Sequence, residues 1–180
     1  KISAFNFKEY MAPTIVTKDI DILSNFFNEQ KDIITKPLYG NGGEGVFRSK
    51  IKDGKINGIN NDMEILDDFI MAQKFIPEIT EGDRRILLID GEYVGSVARI
   101  PLENNIKANF HAGGIARKIG LVRRDKEICA KLSKFLKLNQ LFFVGIDIIG
   151  DYLTEINVTS PTGIKQINEL NKLNIEKIFW

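Results

Sequence analysis

Short apolar segments joined by tight turns constrain the fold of this chain most. Residues 85–89 and 93–99 flank an Asp-Gly pair, and residues 141–149 and 152–158 flank a Gly-Asp pair. An Asp-Gly pair between two apolar runs is a strong signal for a β-hairpin. Because hairpins join antiparallel strands, the sequence predicts antiparallel sheets and argues against a doubly wound parallel sheet.

Three amphipathic segments predict helices that pack on these sheets. Thr17 is expected to cap the first helix, which runs to about Gln30. Asp125 is expected to cap the second, which ends near Leu138, and the third starts around Gly163 and runs through Leu173. Apolar residues recur at helical spacing in each segment. Strands and helices together predict an α+β architecture with two small sheets.

Composition excludes several classes of protein. The 25 Lys and Arg residues nearly balance the 24 Asp and Glu residues, so the chain lacks the basic excess of a nucleic-acid or membrane-surface binder. No apolar run approaches the roughly 20 residues that span a bilayer. The single Cys129 and the single His111 exclude an internal disulfide and a multi-histidine metal site. These features favour a cytoplasmic protein, and the start at Lys1 suggests a piece of a longer one.

The sequence predicts a strand that ends at Pro37, and a glycine-rich segment follows it. The glycine spacing of this segment matches the G-x-G-x-x-G motif of dinucleotide-binding proteins, in which the third glycine opens a helix. Residues 46–50 instead have the character of a strand. The loop therefore lies between two strands, as a phosphate-covering flap does, and Lys36 on the entering strand could reach a phosphate. An ordinary glycine-rich hairpin beside a solvated lysine stays open as the alternative. The loop consists of Gly40, Asn41, Gly42, Gly43, Glu44 and Gly45.

Acidic residues interrupt the two apolar strands near the end of the chain. Glu155 and Asn157 share a face, because side chains alternate along a strand. If the turn holds three residues, 150–152, Asp147 lies opposite Glu155 on that face. Two facing carboxylates repel unless a proton or a cation is shared, and oxygen ligands of this kind suit Mg²⁺. A sheet with one wet, polar face is the alternative.

Several motifs in order carry a resemblance to a known family. Across residues 1 to about 167, the chain resembles the ATP-grasp region of bacterial glutathione synthetase. The motifs are Lys36-Pro37-Leu38 with the glycine-rich loop, Met71-Ala72-Gln73, Gly82-Asp83-Arg84-Arg85, Ala98-Arg99-Ile100-Pro101, and residues 145–150 with 154–162.

The resemblance implies the ATP-grasp fold, in which two α+β subdomains with mainly antiparallel sheets grip ATP between them. Residues 1–12 would form a connecting segment with an ATP-contacting lysine, residues 13–76 the small lid subdomain, and residues 77–180 the large subdomain. The family has a further N-terminal domain, which this chain lacks. The chain alone is therefore expected to be inactive.

The resemblance also implies a reaction. The family joins γ-glutamylcysteine to glycine with ATP, through an acyl phosphate, and releases glutathione, ADP and phosphate. Such chemistry requires positioning and charge neutralisation, and no nucleophilic serine or cysteine. The expected ions are Mg²⁺ and, as the alternative, Mn²⁺, and the expected assembly is a homotetramer. Another ATP-grasp carboxylate-amine ligase, or a non-catalytic ATP-binding module, are the competing functions.

Individual site residues follow from the same resemblance. The implied ATP-binding residues are Lys1, Lys36, the glycine-rich loop, Gln73, Lys74, Phe75, Ile76 and, on the ribose side, Asp83. The implied metal ligands are Asp147, Glu155 and Asn157. Arg85 and Arg99 would contact the peptide substrate or the transferring phosphoryl group, and Asn109 lies in an expected mobile loop over residues 101–115. Lys107 and Ile115 stand where the family pattern expects arginine.

Overall fold

The computed structural model describes residues 2–39, 45–52, 55–57, 68–102, 108–110 and 113–179. The chain divides into two compact units. The smaller unit is Ala12–Ile76, and the larger unit combines Lys1–Met11 with Pro77–Trp180. The predictions for Lys1, Gly40 to Glu44 and Lys107, and the short helix that the sequence predicts around residues 62–67, lie outside the described residues.

The smaller unit contains one five-stranded antiparallel sheet in the order β1-β5-β2-β3-β4. Helix α1 packs on one face of this sheet, where its Leu23, Phe26 and Phe27 meet Ile33 and Ala72. The elements are β1 (Thr14–Thr17), α1 (Ile20–Gln30), β2 (Asp32–Pro37), β3 (Phe47–Lys52), β4 (Lys55–Asn57) and β5 (Ile70–Lys74).

Asp19 caps α1, so the prediction of Thr17 as the cap is wrong by two residues. The Asp19 carboxylate accepts hydrogen bonds from the backbone N–H groups of Asp21 and Ile22, which have no partner within the helix. The Thr17 hydroxyl instead accepts a bond from the Asp19 N–H, at 2.9 Å. Both residues therefore stabilise the helix entrance, and the predicted end of the helix at Gln30 is confirmed.

The larger unit contains a second five-stranded antiparallel sheet, in the order β10-β9-β6-β7-β8. Two 3₁₀ helices, Ile2–Tyr10 and Pro77–Glu81, accompany it. The other elements are β6 (Asp83–Ile89), β7 (Glu92–Ile100), β8 (Ile115–Lys118), α2 (Arg123–Leu138), β9 (Phe143–Ile149), β10 (Tyr152–Asn157), α3 (Ile164–Asn171) and α4 (Glu176–Phe179). Two antiparallel sheets with helices confirm the predicted α+β class.

One face of the larger sheet is buried under α2. Leu132 and Leu136 of this helix belong to the same core as Ile86 of β6 and Ile146 of β9. The first 3₁₀ helix joins this core, and its Phe7 ring meets Phe135 of α2 edge-on, with 5.2 Å between ring centroids. The start of the chain, which the sequence identified only as a connecting segment, is therefore part of a hydrophobic core.

Three boundaries in the larger unit differ from the sequence predictions. Strand β8 begins at Ile115, the last residue of the stretch that is expected to form a mobile loop. Helix α2 begins at Arg123, so Asp125 lies in the first turn, where its carboxylate accepts from the Val122 N–H at 3.1 Å. Helix α3 ends at Asn171, two residues before the predicted Leu173. Among the described helices, none combines the length and apolar character needed to cross a membrane.

Candidate functional site

The second face of the larger sheet is apolar at one end and charged at the other. At the apolar end, Leu87 and Val97 pack under Ile167 of α3 and Ile175. Strand pairing places the charged side chains together at the other end of the same face. These side chains are Asp83 and Arg85 of β6, Arg99 of β7, Asp147 of β9, and Glu155 and Asn157 of β10.

Asp147 is the centre of this cluster. Arg85 lies directly opposite it across the β6–β9 pair and donates from Nε at 2.5 Å and from Nη2 at 2.9 Å, one bond to each carboxylate oxygen. Arg99 Nη2 lies 3.0 Å from Asp147 Oδ1. All three residues are at most 5% exposed. A bidentate ion pair of this kind with a buried carboxylate fixes both groups in one geometry.

Asp83 adds a second acid to the cluster. Arg99 Nη2 also donates to Asp83 Oδ2, so this guanidinium bridges the two carboxylates. Within the described part of the chain, Asp83 Oδ1 and Arg99 Nε are buried and make no hydrogen bond. Buried polar atoms are nearly always paired, so these two atoms have unused capacity for a ligand.

The pKa values of the two acids are shifted in opposite directions. Burial raises the pKa of Asp83 to about 7, and the nearby charge of Asp147 adds to this rise, although Arg99 opposes it. Burial alone would also raise the pKa of Asp147, but the charges of Arg85 and Arg99 hold it well below its usual range. Asp147 is therefore the permanently charged acid of the cluster.

Glu155 lies opposite Asp147, as the sequence predicted, but the turn that produces this pairing is different. Ile149 pairs with Tyr152, so the turn holds two residues rather than three. A β-bulge between Leu153 and Glu155 then shifts the register by one residue. The hydroxyl of Thr154, the extra residue, donates to the Asp147 carbonyl at 3.1 Å. Bulges often re-aim side chains next to functional sites.

The three predicted metal ligands are adjacent on this hairpin. Asn157 Nδ2 lies 3.2 Å from Asp147 Oδ2, and the Glu155 side chain makes no hydrogen bond or ion pair with any described residue. Within the described residues, no three His, Cys, Asp or Glu side chains cluster as metal ligands, so the set depends on the Asn157 amide. Two carboxylates and an amide oxygen fit a hard divalent cation, which completes its shell with water or phosphate oxygens.

The segment after β10 holds Arg85 in place, which the sequence analysis did not foresee. The Thr162 carbonyl accepts a bond from Arg85 Nη1 at 2.9 Å. A Cβ atom at Gly145 would lie 2.7 Å from Pro161 Cβ and 3.3 Å from Arg85 Cδ, so only glycine leaves room there. The signal was present in the sequence as Pro161 and Gly163 after the acidic strand, but neither reveals a contact with Arg85.

Two of the predicted nucleotide residues lie on the sheet face of the smaller unit that is opposite α1. Lys36 pairs with Met71 and Ile34 pairs with Gln73, so Lys36 and Gln73 share this face. Lys36 is buried, and Gln73 Nε2 donates to the Thr14 hydroxyl at 2.8 Å. Lys74 alternates to the face of α1 and is exposed. Phe75 and Ile76 follow β5, and Ile76 is buried.

Two further predicted site residues lie in loops. Gly45 follows the undescribed part of the glycine-rich loop and has a φ of 66°, a conformation that favours glycine. Asn109 is half-buried, and its carbonyl accepts from the Gly114 N–H at 3.1 Å, just before β8. Among the described site residues, one charged group lies on the larger sheet, and Lys36 and Gln73 share a face of the smaller one.

Comparisons with known proteins identify the family. The model of the prokaryotic glutathione synthetase ATP-grasp domain matches residues 1–172. The chain is 42% identical over 181 residues to the glutathione synthetase of Agrobacterium fabrum and 43% identical over 179 residues to that of Prochlorococcus marinus subsp. pastoris. These matches cover 100% and 97% of this chain, and 57% of each relative. The chain therefore spans less than two thirds of the length of these curated relatives.

Solved structures show the same fold at low sequence identity. The D-alanyl-alanine synthetase A of Vibrio cholerae matches with a TM-score of 0.65 and 13% identity, over 99% of this chain and 60% of that one. The ATP-grasp ligase PsnB, complexed with minimal precursor, Mg and ADP, matches with a TM-score of 0.60 and 14% identity, over 91% of this chain and 49% of that one. Fold, family model and close relatives agree that the chain belongs to the ATP-grasp domain family of prokaryotic glutathione synthetases.

Proposed function

We propose that the complete protein is a glutathione synthetase, which joins γ-glutamylcysteine to glycine at the expense of ATP. The family membership and the identity of about 40% to glutathione synthetases support this reaction. The observation that carries the proposal is the buried cluster of Asp147, Arg85 and Arg99 beside Glu155 and Asn157. It combines oxygen ligands for a cation with two fixed guanidinium groups for anions.

The chemistry requires charge neutralisation at this cluster. The terminal carboxylate of the peptide attacks the γ-phosphate of ATP and displaces ADP, and the glycine amine then attacks the acyl phosphate and displaces inorganic phosphate. Arg85 and Arg99 would orient the anionic reactants, and the unpaired Nε of Arg99 is a donor ready for one of their oxygens. Asp147, Glu155 and Asn157 would hold Mg²⁺, or Mn²⁺ in its place. When bound, the ion neutralises charge that develops on the phosphoryl oxygens.

The smaller unit would supply most of the nucleotide contacts. Lys36 would bind a phosphate, and the loop from Gly40 to Gly45 would cover the phosphates with backbone N–H groups. Gln73, Lys74, Phe75 and Ile76 would hold adenine, and Asp83 would lie on the ribose side. Lys1 would add a second phosphate contact, and Asn109 would lie in a loop that closes over the intermediate. In these terms, residues 13–76 act as the lid subdomain and residues 77–180 as the large subdomain.

Product identification tests the reaction against its closest competitor. The complete protein is incubated with Mg-ATP and either γ-glutamylcysteine with glycine or D-alanine alone, and the products are identified by mass spectrometry. We expect glutathione from the first pair and no dipeptide from D-alanine. A D-alanyl dipeptide as the main product would keep the fold but replace the proposed ligase by another one, and ATP binding with no product would indicate a regulatory module.

Assembly into a homotetramer is a further part of this proposal, and it rests on the family resemblance alone. Analytical ultracentrifugation of the complete protein measures the mass directly. A monomer at working concentration would contradict this part and leave the proposed reaction intact.

A further inference from the structure

Arg48 of β3 is held by two different interactions within the smaller unit. Its Nε and Nη2 atoms donate to the two carboxylate oxygens of Asp32, at 2.9 Å and 2.7 Å. Its guanidinium carbon lies 3.4 Å from the ring centroid of Phe75, so the planar group stacks on the ring. A guanidinium that is both bidentate and stacked has little freedom left, which a lysine could not reproduce.

Asp32 closes this arrangement through its backbone. The Phe75 N–H donates to the Asp32 carbonyl at 2.9 Å, while the Asp32 side chain binds Arg48 and the Arg48 guanidinium covers the Phe75 ring. The three residues therefore form a closed triangle. The Asp32 and Arg48 side chains are only 24% and 30% exposed, so solvent screens this pair less than an ordinary surface ion pair.

The triangle lies beside the residues expected to bind the nucleotide. Arg48 pairs with Ile34 and Gln73 pairs with Ile34 from the other side, so Arg48 shares the sheet face of Gln73 and Lys36. Phe75 directly follows β5 and belongs to the predicted adenine-binding linker, residues 73–76. Two of the donor nitrogens of Arg48 already bind Asp32, and the acid neutralises its charge, so a direct phosphate contact is the weaker explanation.

We propose that Arg48, held by Asp32 and stacked on Phe75, is a positioning residue that fixes the adenine-binding linker and thereby sets nucleotide affinity. This inference rests on the proposed function, because it needs the linker to bind a nucleotide. The N–H groups of Lys74 and Phe75 donate to the Pro13 and Asp32 carbonyls, and the stack on Arg48 holds the Phe75 ring. Loss of the stack on Arg48 therefore lowers nucleotide affinity through a more mobile linker, because Arg48 itself is not among the expected nucleotide contacts.

The test measures Mg-ADP binding to the complete protein by calorimetry, with Arg48→Lys, Phe75→Leu and the double variant. Lys50→Gln is the matched control, because Lys50 lies two residues along the same strand and approaches Asp32 only at 3.9 Å, with half of its side chain exposed. We expect a three- to tenfold rise in the Kd for ADP in each single variant, the range of one cation–π contact, and less than twofold in the control.

Three readouts separate positioning from a general loss of structure. The double variant should bind ADP about as weakly as either single variant, because both break the same contact. The KM for ATP should rise with the Kd for ADP, whereas the KM for glycine should stay within about twofold. Fully additive losses, unchanged ADP affinity in both single variants, or an equal rise in both KM values would overturn the proposal.

The outcome for the wild-type protein distinguishes this proposal from the proposed function. A wild-type protein that binds ADP but forms no glutathione overturns the reaction alone, and the Arg48 comparison proceeds on ADP binding. A wild-type protein that binds no ADP overturns both.

Discussion

Glu155 lies directly opposite Asp147 across the β9–β10 hairpin, yet only Asp147 has a charged partner. Arg85 and Arg99 neutralise Asp147, whereas no described residue pairs with Glu155. The Glu155 carboxylate has no positively charged partner among the described residues, so it is the one of the two that can attract a further cation. The pair therefore separates two roles within the proposed metal site, since Asp147 also belongs to the folded charge network, whereas the Glu155 carboxylate has no ion pair among the described residues.

Replacement of Glu155 by glutamine tests this separation. The variant removes a negative charge from the proposed metal site and breaks no ion pair in the described structure, so folding should be unaffected. We expect the Mg²⁺ concentration for half-maximal rate to rise at least tenfold, and the free energy of unfolding to change by less than about 0.5 kcal/mol. Asp151→Asn, in the exposed turn of the same hairpin, is the control. An unchanged Mg²⁺ requirement would remove Glu155 from the metal site.

Gly145 is predicted to be essential for the position of Arg85. An added Cβ would collide with Pro161 and press on the Arg85 side chain, which would move away from Asp147. We expect Gly145→Ala to lower the rate about tenfold and to cost about 1–3 kcal/mol of unfolding free energy. Gly120→Ala serves as the matched control, because no atom lies within 4 Å of its added Cβ. Equal behaviour of the two variants would refute the packing argument.

Asp125 carries a buried ion pair on the opposite face of the larger sheet. Its carboxylate is fully buried and accepts bonds from Arg84 Nη2 at 2.7 Å and from the Val122 N–H at 3.1 Å. Asp125→Asn leaves the Arg84 charge without its partner, which should lower the free energy of unfolding by about 3 kcal/mol. Arg123→Gln removes an ion pair whose arginine is 95% exposed and should change little. Denaturant titration measures both, and a loss below about 1 kcal/mol in Asp125→Asn would contradict the prediction.

Cys129 should be unreactive in the folded protein. Burial raises the pKa of its thiol from 9.0 to about 12, and the charge of Asp125 adds to the rise. At pH 8 almost no thiolate is present, so Ellman's reagent should label the native protein far more slowly than the unfolded one. Because the unfolded thiol loses its proton first, the free energy of unfolding should fall as the pH rises above about 9. Native labelling at the rate of a free thiol would show that the helix is not packed as described.

The sequence predicted those parts of the fold that local patterns determine. Turn pairs such as Asp90-Gly91 and the spacing of apolar residues in α2 placed both hairpins of the larger sheet and its main helix. Helix entrances were less predictable. Both Thr17 and Asp19 can cap a helix, and Asp125 can act at the cap or in the first turn, so only the surrounding hydrogen bonds decide.

The sequence predicted the positions of the acidic residues in the candidate site, but not the side chains that bind them. Alternation along the strands placed Glu155 and Asn157 on one face, but the bulge at Thr154 has no signal in the sequence, and a wrong turn length led to the right pairing. The bonds from Arg85 to Asp147 and Thr162 join residues 62 and 77 positions apart, and no local pattern reports such contacts. The stack of Arg48 on Phe75 likewise depends on the β2–β3 and β2–β5 registers.

The most direct test of the account follows ADP release by the complete protein with Mg-ATP, while γ-glutamylcysteine and glycine are added separately and together. Wild-type protein, Asp147→Asn and the Asp151→Asn control are compared, with the folded fraction of each verified by circular dichroism. We predict release that requires both substrates, falls at least a hundredfold in folded Asp147→Asn, and is unchanged in the control. Release that needs neither substrate, or that persists in folded Asp147→Asn, would contradict the proposed ligase and its site.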